Sequence, residues 1–523
     1  MRALAALLAT LAVSVPLAAQ SGSRLWRPDE RAVISDFGYV EAIGLSRDVL
    51  YVVTRGGIGV YDRRFWRWEP PVTPVSGLPT ETVLAALVDP VDRSLWMGTV
   101  SGLLRYDPAL ESFETLIVPG GVSDLMFDRD DPFGGLYLRG RQGWQLLPRG
   151  SQLPVPFAAV PPPSRQLRAE SVERILQRLP NVAARAPLLL TDQRLRRYRF
   201  TAGAEAPDNE DVYLGTDGGG VLKIDIMTNV EPMPFGLLAP SAGAVVAVRE
   251  GVWVGTGRPS ARTGFSFVST DLQRYAYEEG PPATGYRFRS VYDLVGNERT
   301  LWAATDVGVW KVEVGRRAQR SAIGVIAETE SAYAIAEAPA GVWVGTERGL
   351  VLIDDSGDAR RVDDRVNTQI FALAASHDTV WVGGALGLGV TWWDADEIVV
   401  PAEVATEPLL REPVFALVFG RDTLVAAYRD RIARRAPDGR WLVERVISGE
   451  LGSVTSLAAD DAGVWIGGLR GIGFYRFATR AFAFFATVGD VPGPVRDLAV
   501  DREHLWVASD GGLVRFAKEA LLR

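Results

Sequence analysis

Apolar and polar residues fall along this chain in short bursts, and the bursts recur. A β-rich stretch ending in an aromatic residue is followed by Gly-Thr or other small residues, a turn, a glycine and a second β-rich stretch. The clearest copies are LWMGTVSGLLRYD from Leu95, VYLGTDGGGVLKID from Val212, VWVGTERGLVLID from Val342 and VWIGGLRGIGFYRF from Val464. Others begin at Leu50, Val252, Leu301, Val380 and Leu505, with two degenerate copies at Leu136 and Thr423. The aromatic marker stands at Tyr51, Trp96, Tyr137, Tyr213, Trp253, Trp302, Trp343, Trp381, Trp465 and Trp506, with Leu424 as a substitute, and most intervals are about 40 residues. That is the period of a four-stranded propeller blade.

Residues 371–400 show how one period divides. FALAA reads as an inner strand, a turn follows at His377, VWVGG and LGLGV are the second and third strands, and EIVV is the outer fourth. The inner runs are apolar on both faces, as expected of strands covered on both sides by stacked blades: VLAALV at Val83, YAIA at Tyr333, VFALVF at Val414 and SLAA at Ser456. The aromatic series reads as packing between blades and the glycine as a point of close backbone approach. Eleven equivalent positions cannot all be one cofactor site.

The expected fold is therefore all-β: a β-propeller of about 11 four-stranded blades. The last unit, from Val495, has three clear strands, and RAVISD (31–36) can supply its fourth, so that the N- and C-terminal strands close the ring. The unbroken run of repeats from Val212 to Phe516 favours one large ring, with two smaller propellers as the alternative. An insertion at about 151–199 interrupts the rhythm. It opens Pro-rich and carries one amphipathic helix over 170–179, with Val172, Ile175, Leu176 and Leu179 on one face.

Residues 1–20, in which Arg2 precedes an apolar run from Ala3 to Ala19, read as a signal peptide, leaving 21–523 as the propeller domain. No other apolar run is long enough to span a membrane. The chain has no Cys, which excludes disulfides and a lipoprotein anchor. The expected location is periplasmic or extracellular. A net charge of -8 argues against nucleic acid as a partner.

Units such as LWMGTVSGLLRYD and VWVGTERGLVLID resemble the two-component regulator propeller repeat. The resemblance covers nearly all of the mature chain and implies a β-propeller of the kind found in the periplasmic sensing regions of hybrid histidine kinases, which often respond to polysaccharide fragments. The repeats continue to the end of the sequence with no kinase portion after them, so the resemblance implies fold and binding rather than direct signalling.

Catalytic signatures are sparse. There is no Gly-x-Ser-x-Gly elbow, Walker loop or HExxH, and the two His, His377 and His504, both fall in turns before a Trp-bearing strand. DRDDPFGG (128–135) lacks the ligand spacing of a Ca²⁺ loop and reads as a turn. No metal or cofactor is expected.

The binding candidate lies where the repeat is broken. In the fifth unit the hairpin between second and third strands is lengthened to GTGRPSARTG, carrying Arg258 and Arg262, and the loop leading into the next unit, GPPATGYRFRS, carries Tyr286, Arg287 and Arg289. Such hairpins and loops should share one face, where Glu347 and Arg348 of the seventh unit also lie. Arginine pairs bidentately with carboxylates and an aromatic stacks on a sugar ring, so the expected ligand is a glycan or a carboxylate-bearing molecule. An envelope protein is the other candidate partner. The alternative is a secreted propeller enzyme, a polysaccharide lyase or hydrolase, which would need carboxylates, Tyr or Arg converging in the central funnel.

Overall fold

The computed structural model describes residues 26–522 apart from 28, 75–77, 80, 158–159, 170, 193, 208–209, 282–284, 315–321, 327–329, 378, 421–422, 437, 446–450 and 487–489. The signal peptide expected at residues 1–20 lies outside the described residues.

The described residues form eleven separate antiparallel sheets, numbered as blades 1 to 11 in chain order: 40–72, 83–117, 124–156, 200–233, 242–278, 291–326, 332–361, 370–392, 416–445, 454–486 and 495–517. The chain runs up and down through each, as the β-propeller reading requires, and no sheet closes on itself. Blade 8 is a three-stranded sheet in which the expected fourth strand is reduced to a bridge between Val390 and Val399. The N-terminal strand Arg31–Ile34 pairs with Gly512–Ala517, placing Ala32 opposite Arg515 and Val33 opposite Val514, and so completes blade 11.

The repeated Trp fills the seam between one blade and the next. Trp253 packs with Val291 and Leu294 of blade 6, Trp381 with Val414 and Leu417 of blade 9, and Trp465 with Val495 and Leu498 of blade 11. Several of these rings also donate their N–H to an Asp in the preceding turn, at 2.8 Å for Trp506 to Asp501 and 3.1 Å for Trp465 to Asp460. This satisfies a donor that burial would otherwise orphan. His504 is drawn into the same turn, 3.3 Å from Asp501, and is therefore not the solvated residue its position suggests.

The Gly-Thr that follows has two separate reasons. A Cβ on Gly255 would stand 2.5 Å from Cβ of Val291 in the next blade, and Gly345, Gly383 and Gly467 face Ile370, Val414 and Val495 in the same way. Only glycine lets the blades approach so closely. The Thr then locks the hairpin: Thr305 Oγ1 donates to the Gly308 carbonyl at 2.7 Å, and Thr346 to Gly349 at 2.9 Å.

The blades fall into two series rather than the single large ring favoured by the unbroken repeats. The inner strands of blades 5 to 11 stand side by side in order, and that of blade 5 lies against that of blade 11, so these seven come full circle. Blades 4, 1, 2 and 3 stand in a row of their own. Long-range contacts decide this: Thr201 of blade 4 donates to the Val40 carbonyl of blade 1 at 2.7 Å, and Val245 of blade 5 donates to Asp497 of blade 11 at 2.8 Å.

The insertion touches both ends of the row. Gln166–Leu167 pairs with the inner strand of blade 3, and the helix Val172–Arg178 packs on Phe200–Glu205 of blade 4. A second helix, Pro180–Leu189, was not expected; Pro180 starts it at a position where a missing N–H costs nothing, and Pro187 sits within it. Ile175 and Val182 are buried against Leu214 and Ile224. The two series meet across one aromatic seam, in which Phe235 stacks on Trp68 at 4.2 Å and on Phe37 at 4.7 Å.

Candidate functional site

The hairpins and the loops leading into each blade do share a face. The hairpin N–H of Asp306, Glu347, Leu469 and Asp510 each donates to the carbonyl of the residue just before the inner strand of its own blade: Ser290, Ser331, Ser453 and Pro494. The lengthened hairpin also approaches the start of the next long loop, where Arg262 pairs at 2.5 Å with Glu279, the residue just before that loop.

Their side chains nevertheless disperse. Arg258 is exposed and pairs with Asp510 of blade 11. Arg262 turns inward, its side chain 13% exposed, toward the seam between the two series. Tyr286 is fully buried, stacked on Phe288 at 4.9 Å and edge-on to Trp310, and so belongs to the core between blades 5 and 6. Arg287 and Arg289 are exposed, with the Arg289 N–H held by Asp306. Glu347 and Arg348 are exposed on the blade 7 hairpin.

What the sequence reading missed lies at the mouth of the seven-bladed ring. Most of its inner strands carry a β-bulge at the second residue: the register shifts between Ala242 and Ala244, Val291 and Asp293, Ala332 and Ala334, Ile370 and Ala372, Val454 and Ser456, and Val495 and Asp497. A bulge re-aims one side chain out of the ladder. The residues released are Gly243, Tyr292, Tyr333, Phe371, Thr455 and Arg496, and Phe415 holds the equivalent place before the inner strand of blade 9.

Four of these are aromatic and consecutive round the ring. Tyr292 lies 5.6 Å from Tyr333, Tyr333 6.0 Å from Phe371, and Phe371 5.7 Å from Phe415 with the last two rings nearly parallel. Tyr292 is 43% and Phe415 37% exposed, large values for rings in contact with one another. The remaining arc is polar. Arg496 grips Asp510 with bonds of 2.7 and 2.9 Å, Arg258 shares the same carboxylate, and the Thr455 hydroxyl is buried with no hydrogen-bond partner among the described residues. The signal was present in the sequence as the recurring aromatic in VYDL, AYAIA, IFALA and VFALV, there absorbed into strands read as covered on both faces.

One residue deeper lie two carboxyls. Asp293 accepts the N–H of Ile335 at 2.9 Å and Asp497 that of Val245 at 2.8 Å, each reaching the inner strand of the next blade. Burial pushes both above the ordinary carboxylate range, and the Asp497 charge raises Asp293 further.

A cleft of about 330 Å³ opens where Arg262 turns inward, between the two series. Among the described residues no helix is long and apolar enough to cross a membrane.

No protein-family model matches the chain, and no curated protein matches it. Among solved structures it is similar to the extracellular domain of a putative hybrid two-component system from B. thetaiotaomicron, at 15% identity over 92% of this chain and 68% of that one, TM-score 0.45. A second such domain from the same organism gives 14% identity over 91% and 69%, TM-score 0.43. A catalytically inactive virginiamycin B lyase from Staphylococcus aureus gives 14% identity over 53% and 94%, TM-score 0.44.

Proposed function

We propose that this chain is an exported, non-catalytic binding propeller of the cell envelope, and that it takes a saccharide at the mouth of its seven-bladed ring. The observation that carries this reading is the aromatic arc Tyr292, Tyr333, Phe371 and Phe415. Pyranose rings present apolar C–H faces that stack on aromatic rings, and a run of four such rings offers more than one sugar a platform. Across the mouth, Arg496, Asp510 and Arg258 supply the donors and acceptors that hydroxyl groups or a uronate need. The two deeper carboxyls are each engaged with a backbone N–H of the neighbouring blade, which supports a binding role over general acid–base chemistry.

The test is a glycan binding screen on the purified mature chain, followed by titration of any hit against Tyr333→Ala and Phe371→Ala. Each substitution should weaken binding about tenfold, since one sugar–aromatic stack contributes on the order of 1–1.5 kcal/mol. Unchanged affinity in both variants would overturn the placement, and turnover of the glycan would overturn the non-catalytic reading.

A further inference from the structure

The cleft between the two series is built from four parts of the chain. Blade 5 contributes Tyr277, with Arg262 from its long hairpin and Glu279 just beyond its last strand; blades 1 and 4 contribute Trp68 and Leu222; the connecting segments contribute Phe37 and Phe235; and the insertion contributes Leu189, Asp192 and Tyr198. At about 330 Å³ it falls in the size range of small-molecule sites, which favour such junctions. Its wall mixes apolar side chains with the polar groups of Arg262, Glu279, Asp192, Tyr198 and Tyr277.

Those polar groups are largely satisfied by one another. Glu279 takes Nε of Arg262 at 3.1 Å and Nη2 at 2.5 Å. Asp192 accepts from Tyr198 at 2.8 Å and from Arg196 at 2.9 Å. Tyr277 donates to the Phe235 carbonyl at 2.7 Å and carries the Arg262 guanidinium 5.0 Å over its ring. Nη1 of Arg262 makes no hydrogen bond among the described residues. Arg194 lies close to Glu279 and Asp192, and Asp36 lies close to Arg262.

We propose that this cleft is a second ligand site, separate from the channel mouth, which takes a small aromatic carboxylate. The ring would lie in the apolar part of the cleft beside Trp68 and Leu222, and the carboxylate would meet Nη1 of Arg262. An Arg already held planar by Glu279 and Tyr277 has little rotamer freedom left to lose on meeting a ligand. Because the cleft draws on both blade series, occupancy favours their docked arrangement by linkage.

Phenylacetate is the probe, with phenylacetamide as its neutral counterpart, each titrated calorimetrically into the mature chain. Phenylacetate should bind one to one with a dissociation constant of about 1 mM or tighter, and phenylacetamide at least tenfold more weakly. Leu189→Trp, which fills the cleft from the half-buried end of the insertion helix, should abolish binding while leaving any saccharide binding at the channel mouth unchanged. Arg262→Gln should weaken phenylacetate at least tenfold; because that substitution also strips Glu279 of its partner, Leu189→Trp keeps the test valid if the Arg262 variant fails to fold. No binding of phenylacetate, or equal binding to the Leu189→Trp chain, would overturn the site. Equal affinity for the amide would overturn the carboxylate preference.

Discussion

The Asp497 carboxylate accepts the Val245 N–H at 2.8 Å, and by that bond the last blade of the ring is tied to the first. Asp293 makes the same connection from blade 6 to blade 7, through Ile335. A strand that offers an unpaired inner edge to the channel thus has one of its donors met by the neighbouring blade. The arrangement has an electrostatic cost, because two carboxyls are brought close in a poorly solvated place.

A pH dependence follows. Burial and their mutual repulsion make both groups titrate above the ordinary carboxylate value in the folded chain, so the folded state holds protons that the unfolded chain releases. Stability from this pair is greatest near pH 4 and falls as pH rises toward 8. Asp293→Asn keeps an acceptor for Ile335 and removes the charge. Thermal unfolding should show the variant gaining about 1–3 kcal/mol over the parent at pH 8 and little at pH 5. An equal gain at both values would remove the titration argument.

The glycine of the repeat makes a sharper claim. Gly255→Ala places a methyl against Val291 of the next blade and should cost about 1–3 kcal/mol. Val291→Ala alone opens a cavity and is also destabilising. If the close approach is the cause, the double variant is more stable than the sum of the single losses by at least about 0.5 kcal/mol, measured by denaturant unfolding. Additive losses would mean that Gly255 serves something other than blade spacing.

The repeat was legible because each blade solves the same local problem with the same residues. Trp343 fills a seam, Gly345 admits Ile370 and Thr346 locks the turn, so all three are fixed by short-range geometry. The closing strand was legible for the same reason, since a blade with three strands needs a fourth. The division into two series was not, because it depends on which distant blade meets blade 5. Val245 reads the same whether its partner is Asp497 or any other residue. Where the side chains of the expected patch point was not legible for a related reason. Loop length placed Arg258, Arg262 and Tyr286 near one another, but Asp510, Glu279 and Phe288 decided where each one points.

The hairpin lock can be tested at Thr346. Thr346 Oγ1 donates to the Gly349 carbonyl and accepts the Arg348 N–H at 3.1 Å. Thr346→Val is nearly isosteric, so packing is kept while these bonds and the one to Glu330 at 3.2 Å are lost. Stability should fall by about 1 kcal/mol, and Thr346→Ser should recover most of it. Hydrogen exchange at Arg348 should quicken in the Val variant alone.

The closing strand depends on more than its ladder. Arg31 pairs with Asp490 at 3.0 Å with both side chains at least nine-tenths buried, and the same Asp490 oxygen accepts the Trp26 indole N–H at 2.6 Å. Asp490 thus holds the segment that enters the ring from the N-terminal side, while Trp26 packs at a tilt on Phe516 of the strand Gly512–Ala517, with ring centroids 5.2 Å apart. Asp490→Ala leaves a guanidinium buried without its counter-charge, a change that typically costs about 3–5 kcal/mol. Replacing both partners, Arg31→Met with Asp490→Ala, removes the stranded charge and should recover more than half of that loss. Urea unfolding followed by Trp fluorescence would report it. A single variant as stable as the parent would mean that Arg31–Ile34 closes blade 11 by strand pairing alone.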